Sequence, residues 1–359
     1  MPKANNYGLI LAGGRGTRFW PRSRRARAKQ VLNFFGERSL IQQTVDRLRP
    51  LLPPERIWIL TNDHLRDEIV RQLPEVPRKQ IISEPAQRNT APAIALAAHI
   101  LNGIDPDSVM GVFPADHIIL KPARYLRLVK PAFRAAAQGH IAVLGIQPRW
   151  AETGYGYVEF PEGVQAGSTA PSAVLSFREK PDAATAGQFL ASGRFCWNAG
   201  MFFWRTSVLL GELRRYLPNT TAIIEQIPPF NSRRFGPAVA ELFPRAENIS
   251  IDYAVLEKAK DVVGLMADDI GWNDVGSWNA LHELLPCDPQ GNAGRGEALM
   301  IDSERTYFDV EGKLVALLGV KDLIVVDTPD ALLIAGRDRA QQVGDIVKLL
   351  EKQKRDDLL

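Results

Sequence analysis

Leu9–Leu32 reads LILAGGRGTRFWPRSRRARAKQVL. Leu9, Ile10 and Leu11 have the character of a buried strand end, glycines at 13, 14 and 16 interrupt it, and Arg15, Arg18, Arg22, Arg24, Arg25, Arg27 and Lys29 follow without one acidic residue. Glycine lets backbone N–H groups approach an anion with no Cβ in the way, and clustered guanidinium and ammonium groups neutralise polyphosphate. The stretch predicts a strand-to-helix turn built to hold phosphate. Neither common phosphate loop is present. The GxxxxGK[ST] spacing is missing, and Phe19 stands where the third glycine of GxGxxG would fall. An ordinary turn followed by a solvated basic face is the plain alternative.

LAGGRGTRFWPRSRRARAKQ resembles the signature loop of the sugar-1-phosphate nucleotidylyltransferases, and its SR…KQ ending is similar to that of the mannose-1-phosphate guanylyltransferase branch. The branch usually has proline before the Lys-Gln pair, where this chain has Ala28; proline would only fix φ. The resemblance implies that Leu11, Ala12, Gly13, Gly14, Arg15, Gly16 and Thr17 bind a nucleotide, with Arg18 and Lys29 on its triphosphate.

At 359 residues the chain exceeds the size at which one core usually stops growing, so two domains are expected. With 45% hydrophobic and 24% charged residues, the composition is that of a globular protein. There is no apolar run near the ~20 residues that cross a bilayer and no signal peptide, so a cytoplasmic location without membrane partners is expected. Cys196 and Cys287 lie far apart with no CxxC neighbour, which argues against zinc or disulfides and makes each an expected buried thiol. The net charge of +3 is small and concentrated in the opening loop, and aromatics do not interleave with the basic run. This fits a small anionic ligand rather than nucleic acid.

From Tyr7 to about Ile146, YGLILA, RIWILT, QIISE, SVMGVF and IAVLGI alternate with amphipathic stretches such as SLIQQTVDRLRPLL. That rhythm predicts an α/β fold, a Rossmann-like, mainly parallel sheet flanked by helices, with ligands beyond the carboxyl ends of the strands. The third run ends at Glu84, whose carboxylate can accept the adjacent N1–H and N2–H₂ donors of guanine; uracil and thymine lack that pair. Pairing of Glu84 with Arg88 is the local alternative. EPxxRNTAPAI resembles the family's base-recognition segment, implying Arg88, Asn89 and Thr90 at the nucleotide, with Asn89 or Thr90 also a helix cap. SVMGVF runs into Pro114-Ala115-Asp116-His117. A carboxylate there suits Mg²⁺; the resemblance makes Asp116 a metal ligand and Ala115 a nucleotide neighbour, and His117 is expected in a structural hydrogen bond.

After Trp150 an insertion for a second substrate is expected. Gly154-Tyr155 in ETGYGY has the look of a sugar-contacting turn or a plain one. In Arg178-Glu179-Lys180-Pro181 the acid and base would face opposite sides of a strand unless the chain bends. The family's EKP motif implies Glu179 on sugar hydroxyls and Lys180 on the sugar phosphate; CWNAGM likewise implies Asn198 on the sugar and close approach at Gly200. Asp252 reads as a cap or first-turn acid, with a ligand contact as the alternative. Asp274, in GWNDVGSW, resembles a second metal carboxylate facing Asp116, whereas Trp272 and Trp278 read as core. CDPQGNAGRG (287–296) reads as a linker between a catalytic domain at 1–286 and a β-rich, β-helix-like domain at 297–359, with turns at Glu311-Gly312 and Thr328-Pro329-Asp330, a final helix, and homodimerisation implied by the family.

The expected activity is transfer of GMP from GTP to mannose 1-phosphate with Mg²⁺. Another hexose 1-phosphate or nucleotide is the first alternative, and a non-catalytic nucleotide-sugar-binding regulator is the second. Such a regulator would be expected to lack Lys29 or an aspartate, and this chain has all three. A bifunctional enzyme that also isomerises mannose 6-phosphate is not expected, because little chain follows the β tail.

Overall fold

The structure, a computed structural model, describes residues 5–359. The apolar runs become β1 (Asn6–Leu11), β2 (Ile57–Asn62), β3 (Ile81–Glu84) and β4 (Val109–Pro114), linked by α1 (Leu40–Leu48), α2 (Asp63–Gln72) and α3 (Thr90–Ile104). Each helix begins on a side-chain cap. Ser39 and Gln42 form a reciprocal capping box, Asn62 accepts the Leu65 N–H, and Asn89, at φ 63°, accepts the Thr90 N–H. Next come β5 (Ile118–Ile119), α4 (Pro122–Ala137) and β6 (Ile141–Ile146). The inserted portion contains β7 (Tyr157–Glu159), β8 (Ser172–Ala173), β9 (Ser176–Arg178), α5 (Ala183–Ser192), β10 (Phe195–Arg205), α6 (Thr206–Tyr216), α7 (Pro218–Glu225), α8 (Phe235–Leu242), β11 (Val262–Ala267), β12 (Trp272–Asn273) and α9 (Trp278–Leu284).

The main sheet runs β3-β2-β1-β4-β10-β6-β11-β8. β1 is parallel to β2 and β4, and β6 to β11, while β10 enters antiparallel between β4 and β6. Successive side chains point to opposite faces, so Ile10 belongs to a core shared with α1, α2 and α4, and Leu9 to one shared with α3 and α6. Those layers leave the carboxyl ends of β1, β3 and β4 open on one edge.

The C-terminal portion is β13 (Ala293–Ile301), β14 (Tyr307–Leu318), β15 (Leu323–Asp327), β16 (Leu332–Gly336) and α10 (Val343–Lys352). β13, β14 and β15 stack in parallel like coils of a β-helix. β13 begins inside the stretch read as linker. No chain reversal occurs at Glu311-Gly312: β14 continues as a bulge, Arg295 facing Asp309 and Glu297 facing Leu314, with Gly312 at φ 73° absorbing the extra residues. Cys196 is buried, but Cys287 is exposed, contrary to expectation, because the segment after α9 leaves the core. A third apolar core joins Phe19, Trp20 and Trp278 to Tyr307, Ile324, Val343 and Val347. The signature loop and the C-terminal portion are therefore packed together. Among the described residues no helix is long and apolar enough to cross a membrane.

Candidate functional site

Beyond β1 the chain turns at Gly13, Gly14 and Gly16. Gln30, 2% exposed, donates to the Ala12 and Gly14 carbonyls at 2.6 and 3.0 Å, Thr61 donates to Ala12 O at 3.0 Å, and Ser23 to Gly16 O at 2.7 Å. The carbonyls are thereby tied to the protein, and the N–H groups of Gly13, Gly14, Arg15 and Gly16 have no acceptor among the described residues. Such a run of free N–H groups is an anion nest. Gly16 sits at φ 62°, and a Cβ there would lie 2.5 Å from Lys29 Cβ. Only glycine lets the turn rest on Lys29.

Lys29, 6% exposed, extends its ammonium to Asp116 Oδ2 at 2.9 Å and to the Asp274 carbonyl at 2.5 Å. Residues 87 and 245 positions away in sequence meet on one cation. Burial raises the Asp116 carboxyl, but the charges of Lys29 and His117 outweigh it and hold the group below its usual value. His117 is held low by burial and accepts the Trp272 indole N–H at 3.2 Å, the structural bond expected of it. The Asp274 carboxylate accepts the Tyr155 phenol at 2.5 Å. Burial, then the Asp274 charge, keeps that phenol protonated.

These groups border a cleft of about 460 Å³ lined by Leu11, Ala12, Gly13, Gly14, Glu84, Asn89, Thr90, Ala115, Asp116 and Asp274 on one side and Gly154, Tyr155, Glu179 and Asn198 on the other. Glu84 makes no hydrogen bond or ion pair among the described residues, and burial pushes its carboxyl up to about 8. The local Glu84–Arg88 pair does not form. Arg88 instead turns to the Pro244 carbonyl, away from the cleft, which corrects its placement at the nucleotide. The Thr90 hydroxyl faces the Ile251 N–H, accepting it at 2.9 Å.

The strand constraint on Glu179 and Lys180 is lifted by the backbone: β9 ends at Arg178 and Lys180 takes φ 45°. Glu179 enters the cleft, while Lys180 turns outward, 56% exposed, and pairs with Glu179 Oε1 at 3.2 Å. A Cβ at Gly156 would fall 2.3 Å from Glu179 Oε2, so glycine here lets the Glu179 carboxylate hold its place in the cleft. Gly200, at φ 66° in the β10 bulge between Asn198 and Phe202, also lines the cleft. Asp252 opens a π-helical turn, as a first-turn acid should, yet its carboxylate also lines the cleft, accepts the Asn198 amide at 2.9 Å, and is pushed up to about 7 by burial and the nearby Glu179 charge. Its position in SIDY gave no signal distinguishing cap from cleft residue. Trp272, read as core, is buried but also lines the cleft.

The arginine side chains of the basic run point away from the cleft. Arg15 reaches Glu351, Arg22 reaches Asp309 and Glu311, Arg24 reaches Asp330, and Arg25 reaches Asp356, all in the C-terminal portion. Arg18 donates to Gln341 at 2.6 Å. The run itself has no acids, so nothing local revealed that its counter-charges lie some 300 residues on. Arg15 and Arg18 consequently stand outside the cleft lining, and Gly16, Thr17 and Lys180 also lie outside it. Arg15 and Arg25 border an adjoining cavity of about 320 Å³ that meets the cleft at Gly13 and Glu84.

Residues 7–290 match the family model described as nucleotidyl transferase, and residues 296–350 match the mannoseP isomerase/GMP-like beta-helix domain. The chain is 41% identical over 353 residues to a mannose-1-phosphate guanylyltransferase of Escherichia coli, covering 97% of this chain and 74% of the relative. It is 40% identical, with the same coverage, to one from Klebsiella pneumoniae, and 40% identical to the xanthan biosynthesis protein XanB of Xanthomonas campestris, covering 97% and 73%. A Thermus thermophilus crystal structure described as a mannose-1-phosphate geranyltransferase superposes with TM-score 0.85 at 31% identity, covering 97% of this chain and 99% of that one.

Proposed function

This chain belongs to the nucleotidyl transferase family and, within it, to the mannose-1-phosphate guanylyltransferases, and on that premise we propose that it transfers GMP from GTP to mannose 1-phosphate, releasing pyrophosphate. A phosphate oxygen of mannose 1-phosphate attacks the α-phosphorus in line, the bond from that phosphorus to the β-phosphate bridging oxygen breaks, and pyrophosphate leaves. The nucleophile is already an oxyanion, so no general base is required. Alignment and charge neutralisation remain as the catalytic tasks.

The observation that carries the reading is the single ammonium of Lys29 between Asp116 and Asp274, beside free N–H groups of the glycine turn. Those N–H groups receive the triphosphate, Lys29 neutralises it, and Glu84 in its ionised form accepts the guanine N1–H and N2–H₂. Arg18 donates to Gln341 in the ligand-free protein and meets the triphosphate only by exchanging that bond. Glu179, Asn198 and the Gly154-Tyr155 turn face the sugar, and Lys180 lies at the rim for its phosphate.

The same geometry tests the fit of magnesium. Lys29 is a stand-in cation among oxygen donors, and Mg²⁺ favours one or two carboxylates plus substrate phosphates. Asp116 and Asp274 would hold it, and once bound it would offset charge on the phosphates. The reading places the protein in the cytoplasm and as a homodimer. The exposed ladder of Leu299, Ile301, Leu314 and Leu318 on one face of β13 and β14, with Ile301 opposite Leu318, supports pairing between copies. Light scattering should give twice the chain mass, falling to one chain mass in Leu318→Lys; a monomer before substitution rejects the pairing.

Pyrophosphate release from GTP, dTTP or UTP with each hexose 1-phosphate and Mg²⁺ tests the reaction. GTP with mannose 1-phosphate should react fastest. Faster release from another pair would reassign the substrate, and none from any pair would favour the regulator.

A further inference from the structure

Tyr155 has the ring of a sugar-stacking residue, but its hydroxyl does something else: it donates to Asp274 Oδ1 at 2.5 Å. The ring is fixed edge-on between Trp197 and Trp272, at centroid distances of 5.3 and 5.6 Å, and the indole of Trp272 in turn holds His117 beside Asp116. The Tyr155 carbonyl accepts the Lys180 N–H at 3.2 Å, so the same residue anchors the turn that carries Glu179 and Lys180. One oxygen of Asp274 is thus engaged by a rigid phenol, and its carbonyl is engaged by Lys29.

We propose that Tyr155 is a positioning residue for the divalent-cation site, its hydroxyl fixing the orientation of the Asp274 carboxylate in the cleft that Asp116 also lines. The inference deepens the function proposed above, since it rests on a cation bound between these aspartates. Carboxylate ligands left free to rotate lose part of their affinity to the entropy of being ordered, and hydrogen bonds to ligating groups commonly account for about 10- to 100-fold in metal affinity. Its backbone bond to Lys180 also ties the cation carboxylate to the sugar-side turn.

Tyr155→Phe keeps the ring and its aromatic packing and removes only the hydroxyl. Mn²⁺ is titrated into the nucleotide-free protein with the free ion counted by electron paramagnetic resonance, and mannose 1-phosphate is titrated separately by calorimetry. The expected result is Mn²⁺ binding weakened by about tenfold, a clearly smaller loss in mannose 1-phosphate binding, and a melting transition that shows the variant folded. Asp274→Asn should remove the same Mn²⁺ site. Mn²⁺ affinity unchanged in Tyr155→Phe, equal losses for Mn²⁺ and sugar phosphate, or Mn²⁺ binding that survives Asp274→Asn would each overturn the proposal. If the parent binds no mannose 1-phosphate while the Mn²⁺ difference persists, the substrate reading fails and the role of Tyr155 stands.

Discussion

Glu84 is a half-buried carboxyl with no side-chain partner among the described residues, and desolvation moves it from 4.5 to about 8. In the free protein it is therefore mainly neutral at pH 7, whereas the guanine edge offers two donors that call for a carboxylate. Binding must release the proton. GTP affinity should rise by up to about tenfold per pH unit from pH 6 and level off near pH 8, as calorimetry in buffers of different ionisation enthalpy would record. Glu84→Gln should bind more weakly at pH 8 and lose the pH dependence; a parent profile flat from pH 6 to 8 contradicts the assignment. At this scale the sequence was informative where a motif ended a strand, as for Glu84 and Asp116. It was silent on Asp252, because an acid at the start of a helical turn has the same local signature whether it caps the turn or faces a cleft. The Tyr155 hydroxyl was equally hidden, since its partner lies 119 residues away.

At the scale of elements, the glycine turn and Lys29 form one unit. A methyl group at residue 16 would meet Lys29 Cβ at 2.5 Å and require φ 62° of an alanine. Gly16→Ala should cost about 2 kcal/mol of stability in urea unfolding and lower turnover by displacing Lys29; unchanged stability and turnover would show that the loop adapts freely. The Asn89 cap and the buried strands were readable because their causes are local, Asn89 sitting immediately before an apolar helical run; Ser39 and Asn62 cap α1 and α2 in the same local way. The bend at Lys180 was not readable in detail. Proline at 181 signalled that the strand ends, while the positive φ at Lys180 accompanies a backbone bond from its N–H to the Tyr155 carbonyl, 25 residues away.

Across the whole molecule, the arginine run connects two portions of the chain rather than lying open to phosphate. The pairs differ in kind. Arg22 is 11% exposed and Asp309 fully buried, whereas Arg15 and Glu351 are 40% and 34% exposed. Removing the buried carboxylate in Asp309→Ala should cost about 3 kcal/mol, because Arg22 and Arg295 are then left to share the exposed Glu311, and Glu351→Ala should cost at most about 1 kcal/mol. Equal costs in chemical unfolding would refute this division of labour. Sequence order could suggest two portions but not their shared core, since Phe19 and Trp278 meet Tyr307 and Val343 only after both have folded. The account as a whole turns on Lys29 as the cation between Asp116 and Asp274. Single-turnover pyrophosphate release by Lys29→Ala, with GTP, mannose 1-phosphate and Mg²⁺ saturating and the melting temperature checked, tests it most directly. The account predicts a fall of about 10²-fold or more in a folded protein; a rate near that of the parent would contradict it.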